Sequence, residues 1–322
     1  MMTAKRFDVT AIGEVMLRYS VPVGERLERA QQLAIHPGGA EANLLGALGA
    51  LGRRCAWISG LPKNPLGKLI ENHLRLSHVA TDGIVWSDEG RVGAYYLEFA
   101  TAPRATQVYY DRANSCAAQL CPDQIDWAYV LDTRLIHLTG ITPALSPTCL
   151  AVTEEAIRRA KAAGVAISFD INYRAKLWSE TRAAEVLLPL IQEVDILSCG
   201  QGDAARLFGC TGGPEAIIHR LAEISRARVV VTSLADEGVM AWDGQTMHHA
   251  PARPVQIVDR LGAGDALAAG VIHGWLDGDL AHGLEVGTAL AAICLSLHGD
   301  VVITTPEEVA AVMTTGGGGL NR

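Results

Sequence analysis

The sequence has no paired cysteines, no long apolar run and no surplus of basic charge. Its seven cysteines, Cys55, Cys116, Cys121, Cys149, Cys199, Cys210 and Cys294, are odd in number and scattered, without a CxxC pair. That excludes a disulfide scaffold and predicts packed thiols in a reducing, cytoplasmic compartment. No stretch approaches the roughly 20 apolar residues of a membrane span. The start, MMTAKRFDVTAIG, lacks an apolar core, so no signal peptide and no membrane partner are expected. Lys and Arg number 27 against 35 Asp and Glu, for a net charge of −8 over 322 residues. A duplex nucleic-acid binder needs a concentrated basic face and is disfavoured, whereas a small anion needs only local positive charge. Two nucleotide-binding patterns are also missing. There is no GxxxxGK[ST] phosphate loop, and no GxGxxG follows the first strand with an acid at the right distance.

What is present alternates. Short apolar runs at 8–12, 55–59, 135–138, 166–170, 195–198 and 228–232 read as strands covered on both faces. A further strand is expected at 254–258. Helical patterns run over 40–51, 65–76, 147–163, 181–193, 214–224, 265–276 and 282–297. This alternation predicts an α/β fold with a mainly parallel sheet. Two stretches break it. Residues 19–35 are polar with weak alternation, and 83–112 reads as strands without helices (GIVWSDE, VGAYYLEFA, TQVYYDR). These two predict a small β-sheet lid on a large domain made of 1–18, 36–82 and 113–315, with the Gly-rich 316–322 as a flexible tail. Val92, Tyr95, Leu97 and Phe99 offer the lid one apolar face, through which a homodimer is expected.

The segment Asp259-Arg260-Leu261-Gly262-Ala263-Gly264-Asp265 opens an apolar helix, ALAAGVIHGWL. Gly262 and Gly264 let backbone N–H groups approach a ligand closely. The helix N-terminus adds unpaired donors and partial positive charge, which together suit a phosphate. Asp265 stands beside that anion hole. Asp also caps helices well, and spacing alone does not separate the two roles.

A second constellation, Gly38-Gly39-Ala40-Glu41-Ala42-Asn43, precedes a small-residue helix. It resembles the N-terminal signature of the ribokinase-like (phosphofructokinase-B type) carbohydrate kinases, and DRLGAGD resembles their C-terminal signature. The separation of roughly 220 residues also fits. Within that family the chain looks most like the 2-keto-3-deoxygluconate kinases. Gly93-Ala94-Tyr95, VYYDR at 108–112, HLTGITPALSP at 137–147 and FDINYR at 169–174 with Leu177-Trp178 carry the likeness.

The resemblance implies a three-layer α/β/α domain with a β lid, and ATP- and Mg²⁺-dependent phosphorylation of a sugar acid. It places Gly38, Gly39, Asn43, Tyr95, Tyr110, Arg112 and Asn172 at the sugar, and Arg174 between sugar and nucleotide. It puts Gly200, Thr232, Ala235, Gly238, Arg260, Gly262 and Gly264 along ATP, and Asp203 near the metal. Asp265 would be the general base, with the N–H groups of Gly262, Ala263 and Gly264 stabilising the transferring phosphoryl. Two guanidinium forks, Arg112 and Arg174, suit a carboxylate that neutral sugars lack. Kinases for 5-keto-2-deoxygluconate, fructose or ribose, and a degenerate sugar-binding protein, are the alternatives.

The sequence departs from the family near the nucleotide. Gly200 and Asp203 stand where relatives usually carry Asn or Ser, then Glu. Ala235-Asp236-Glu237-Gly238 replaces a Gly-Ala-x-Gly loop, and Arg260 replaces a Thr. Added acids oppose a triphosphate unless Mg²⁺ or an Arg offsets them, and Arg260 is the candidate offset.

Overall fold

The computed structural model describes residues 5–314, so the tail expected at 316–322 lies outside the described residues. The strands are β1 (Phe7–Ile12), β2 (Met16–Val21), β3 (Ala34–Gly38), β4 (Cys55–Pro62), β5 (Val79–Ala80), β6 (Ile84–Ser87), β7 (Ala94–Glu98), β8 (Gln107–Asp111), β9 (Thr133–Thr139), β10 (Ala166–Asp170), β11 (Ile196–Ser198), β12 (Val229–Ser233), β13 (Val239–Trp242) and β14 (Met247–Ala250). The large sheet runs β14-β13-β12-β11-β10-β9-β1-β4-β5, with β6 also on β4. It is parallel from β12 to β5 and ends in an antiparallel hairpin at β13 and β14. Successive strand residues point to opposite faces. Leu135 therefore joins one apolar core and Ile136 the other, so both faces of the sheet are covered. This is the ribokinase-like α/β layout. Among the described residues no helix is long and apolar enough to cross a membrane.

The small sheet has the order β3-β2-β7-β8. Its strands begin at Met16 and reach Gly38, so the weakly alternating segment supplies more of the lid than 19–35 suggested. β6, expected in the lid, pairs in parallel with β4 instead, with Ser59 opposite Ile84. Its run is too short to show which sheet it extends. The strand expected at 254–258 does not form. Pro254 lacks an N–H, and Val258 donates instead to the carbonyl of Leu295 at 2.8 Å. The face proposed for a homodimer is also corrected. Val92, Tyr95, Leu97 and Phe99 are all buried within the chain, because that side of the lid packs down onto the large domain. The expected homodimer thus loses the face assigned to it.

Candidate active site

The carboxyl ends of the parallel strands face the underside of the lid, where open α/β sheets place their ligands. One cavity there gathers nine of the sequence-predicted residues: Gly38, Gly39, Asn43, Tyr95, Tyr110, Arg112, Arg174, Gly262 and Asp265. Two helices start at this edge, Ala40–Ala50 and Ala263–Asp277. The second begins at Gly262, whose left-handed φ of 84° favours glycine. A Cβ there would also overlap the carbonyl oxygen of Asp300, so the tight turn needs glycine twice over. The N–H groups of Ala263, Gly264 and Asp265 lie in the first turn, where no intrahelical acceptor exists.

Asp265 does not cap its helix. The cap is Gly262, and the Asp265 carboxylate takes a 2.7 Å hydrogen bond from Asn43 Nδ2. Asn43 in turn accepts from the Gly39 N–H at 3.1 Å, which fixes its amide orientation. Asn43 lines the cavity but is engaged with Asp265, so holding that carboxylate is its visible task. Burial pushes Asp265 up to about 8, against the Asn43 bond and with help from the neighbouring Asp170. Asp265 keeps partial solvent access through the cavity. Burial likewise pushes Asp170, at the end of β10, up to about 7. Glu41 is fully buried, accepts from the hydroxyls of Thr139 (2.7 Å) and Thr142 (2.8 Å), and is also raised by burial.

The two arginines differ. Arg112 is already paired, donating from Nε (2.8 Å) and Nη2 (2.5 Å) to one oxygen of the buried Glu14. Ser115 donates to the other Glu14 oxygen. Arg112 is therefore held in one pose and largely neutralised. Arg174 is exposed and donates only to the adjacent Tyr173 carbonyl at 3.3 Å. It has no carboxylate partner among the described residues. It also lines a larger neighbouring cleft with Lys176 and Arg206. Lys176 bonds the Val108 carbonyl at 2.5 Å, tying β8 of the lid to the loop after β10.

Tyr95 donates its hydroxyl to Asp300, and its ring lies 5.8 Å from that of Tyr110. Asn172 is not at the cavity. Its backbone sits at a φ of 40°, and its amides turn back to Asp170. Asp203 accepts from the Tyr173 N–H at 3.3 Å and from Arg206 at 2.9 Å. Among the described residues no group of three or more His, Cys, Asp or Glu could hold a metal.

Of the residues assigned to the nucleotide, Arg174 and Gly262 line the first cavity, whereas Gly200, Thr232, Ala235, Gly238 and Arg260 do not. Gly200 precedes the helix Gln201–Phe208, while Thr232, one residue before the end of β12, has its hydroxyl buried and without a partner among the described residues. Ala235 (φ 55°) and Gly238 (φ 104°) bend the loop before β13. Arg260 is exposed and makes no ion pair among the described residues. Sequence reasoning missed Arg18, Glu14, Glu41, Asp170 and Asp300 as site-forming residues. Glu41 and Asp170 lay inside segments already singled out. Asp300 carried no pattern of its own.

A helix start with unpaired N–H groups beside the Asp265 carboxylate, under a small β-sheet, fits a carbohydrate kinase of the ribokinase-like fold. The chain belongs to the pfkB family of carbohydrate kinases, whose sequence model matches residues 6–307. It is 35% identical to a 2-dehydro-3-deoxygalactonokinase from Haloferax volcanii over 98% of this chain and 99% of that one. It is 27% identical to a 2-dehydro-3-deoxygluconokinase from Thermoproteus tenax, over 95% of this chain and 94% of that one. The crystal structure of a 2-dehydro-3-deoxygluconokinase from Thermotoga maritima superposes with a TM-score of 0.89 at 32% identity, covering 96% and 99% of the two chains.

Proposed function

We propose that this carbohydrate kinase transfers the γ-phosphoryl of ATP to a hydroxyl of a 2-keto-3-deoxy sugar acid. The first candidate is 2-keto-3-deoxygluconate, giving its 6-phosphate, with the galactonate epimer beside it. The observation that carries this reading is Arg174, a guanidinium without a carboxylate partner at the mouth of the cavity that holds Asp265. The other cation in the lining, Arg112, is matched by Glu14. Arg174 is therefore the cation of the lining with no ion pair among the described residues, which suits a carboxylate. The names of the relatives agree with an acid substrate.

In the reaction, Asp265 Oδ takes the proton of the attacking hydroxyl. The sugar oxygen bonds to the γ-phosphorus as the bond to the β-phosphate oxygen breaks and ADP leaves. The free N–H groups of Ala263 and Gly264 meet the charge on the transferring phosphoryl. Mg²⁺ favours phosphate oxygens and water with one or two carboxylates, so no dedicated protein cage is needed. Asp203 is the candidate carboxylate, and holding the ion would require it to give up the contact with Arg206 or with the Tyr173 N–H that each of its oxygens now makes. A bound Mg²⁺ would neutralise charge on the β- and γ-phosphates. ATP and a reduced set of free cysteines agree with a cytoplasmic setting.

The test is ADP release with Mg·ATP across neutral sugars and 2-keto-3-deoxy sugar acids. Turnover restricted to acids supports the reading, and equal turnover of fructose or ribose defeats it. Arg260, exposed and unpaired, is assigned to the polyphosphate, offsetting Asp236 and Glu237. Arg260→Ala is expected to raise KM for ATP by about tenfold, the value of a hydrogen bond to a charged group. An unchanged KM in steady-state kinetics would remove that role.

A further inference from the structure

Arg18 lies on β2, with His36 of β3 beside it on one side and Tyr95 of β7 on the other. Tyr110 of β8 is paired with Tyr95, so His36, Arg18, Tyr95 and Tyr110 form one row across the lid sheet. Arg18 has no solvent exposure and does not line the sugar cavity. Its guanidinium bridges two buried carboxylates of the large domain, one Nη to Asp300 at 2.5 Å and the other to Asp259. Phe99 covers it, with the ring centre 5.1 Å away.

Each carboxylate reaches a different half of the site. Asp259 accepts from the Leu261 N–H at 3.2 Å, which shapes the turn leading into Gly262 and the anion hole. Asp300 receives the Tyr95 hydroxyl, and its carboxylate packs so closely on Gly38 that a Cβ there would overlap it. Gly38, Tyr95 and Asp300 all line the sugar cavity. The guanidinium thus joins the support of the phosphoryl site, through Asp259, to that of the sugar site, through Asp300. Two carboxylates share a single positive charge, and Arg18 Nε has no partner among the described residues. A buried ion cluster of this kind is weak evidence for stability, since apolar residues of similar volume often serve as well. Its geometry has to be explained by what it holds in place.

We propose that Arg18 is a positioning residue for phosphoryl transfer, clipping the lid strand β2 to the turn that carries the anion hole and to the Asp300 that orients Tyr95. Arg18 sets the distance between the sugar hydroxyl and the γ-phosphoryl without touching either. Positioning of this kind acts in the transition state more than in the ground state. The proposal rests on the chain being a carbohydrate kinase and not on which sugar it uses.

The test compares wild type with Arg18→Lys and with the double variant Arg18→Met/Asp259→Asn, using any sugar the wild type phosphorylates. Lysine keeps the charge but offers one compact ammonium in place of a planar fork. The double variant removes one of the two carboxylates that would otherwise be stranded. Folded fraction is measured by gel filtration and thermal melting, and kinetic constants are taken per folded enzyme. We expect kcat to fall at least tenfold in both variants, with KM for sugar changing less than threefold. Wild-type kcat in folded variants would make Arg18 a stabilising residue only and overturn the proposal. Failure of both variants to fold, under conditions where wild type folds, would overturn it equally.

Discussion

Replacing Asp265 by Asn is expected to lower kcat by about 10²–10⁴-fold, the range set by loss of a positioned general base. The substitution keeps the side chain's size, and the carbonyl oxygen of the new amide could still accept from Asn43, which holds Asp265 at 2.7 Å. Sugar binding should therefore survive, and stopped-time assays with calorimetric titration separate the two effects. A kcat within threefold of wild type would exclude Asp265 as the base.

The pH dependence has a fixed sign. The base must be ionised, and burial holds Asp265 protonated up to about pH 8. Below that, kcat/KM should fall by up to tenfold per pH unit, and above it should level off. Asp170, itself raised to about 7, and Glu41 push Asp265 further up, while Arg174 pulls it down. The two aspartates therefore titrate as a coupled pair, and the limb should be broader than that of a single group. Asp265→Asn should abolish the limb near 8 in whatever activity remains.

The second large effect is expected for Arg174→Met, which should raise KM for a sugar acid by about 10–100-fold, the value of hydrogen bonds to a charged group. Neutral sugars should be affected far less. Arg174 is the clean choice because its only bond among the described residues is to the neighbouring Tyr173 carbonyl. Arg112 is not. Removing it strands the buried Glu14, a change worth about 3–5 kcal/mol of stability, so lost activity could reflect lost fold. Arg174 also lowers the pKa of Asp265, so its loss should move the alkaline plateau upward. Unchanged KM for acids in Arg174→Met would relocate the carboxylate.

Much of this site was legible because backbone chemistry leaves marks in sequence. A glycine turn before an apolar helix forecasts unpaired N–H groups, and Gly262 delivers them. Short apolar runs forecast strands buried on both faces, and β9 and β10 behave so. The lid was harder to read. β2 carries Met16, Arg18 and Ser20 on alternate positions, a pattern neither polar nor apolar, because its inner face meets a charged site. Contacts between distant segments leave no local mark either. Nothing near Glu14 signals that Arg112 will claim it, 98 residues away. Asp259 and Asp300 lie 241 and 282 residues from Arg18 along the chain, yet the three meet in one buried cluster. Asn172 stands off the cavity because its backbone turns the amide back onto Asp170, which no local pattern signals. The dimer face failed for the same kind of reason, since apolar spacing does not tell which surface it will meet.

The most direct measurement is the ratio of kcat/KM for 2-keto-3-deoxygluconate to that for its neutral C1 amide, at saturating Mg·ATP. The two compounds differ at C1 alone, where the amide loses the charge that Arg174 is assigned to read and puts an NH2 donor in place of one acceptor oxygen. A preference of about 10–100-fold for the acid is the expected result, the value of pairing one carboxylate with a guanidinium. Equal turnover of acid and amide would contradict the assignment and leave a carbohydrate kinase that does not read charge.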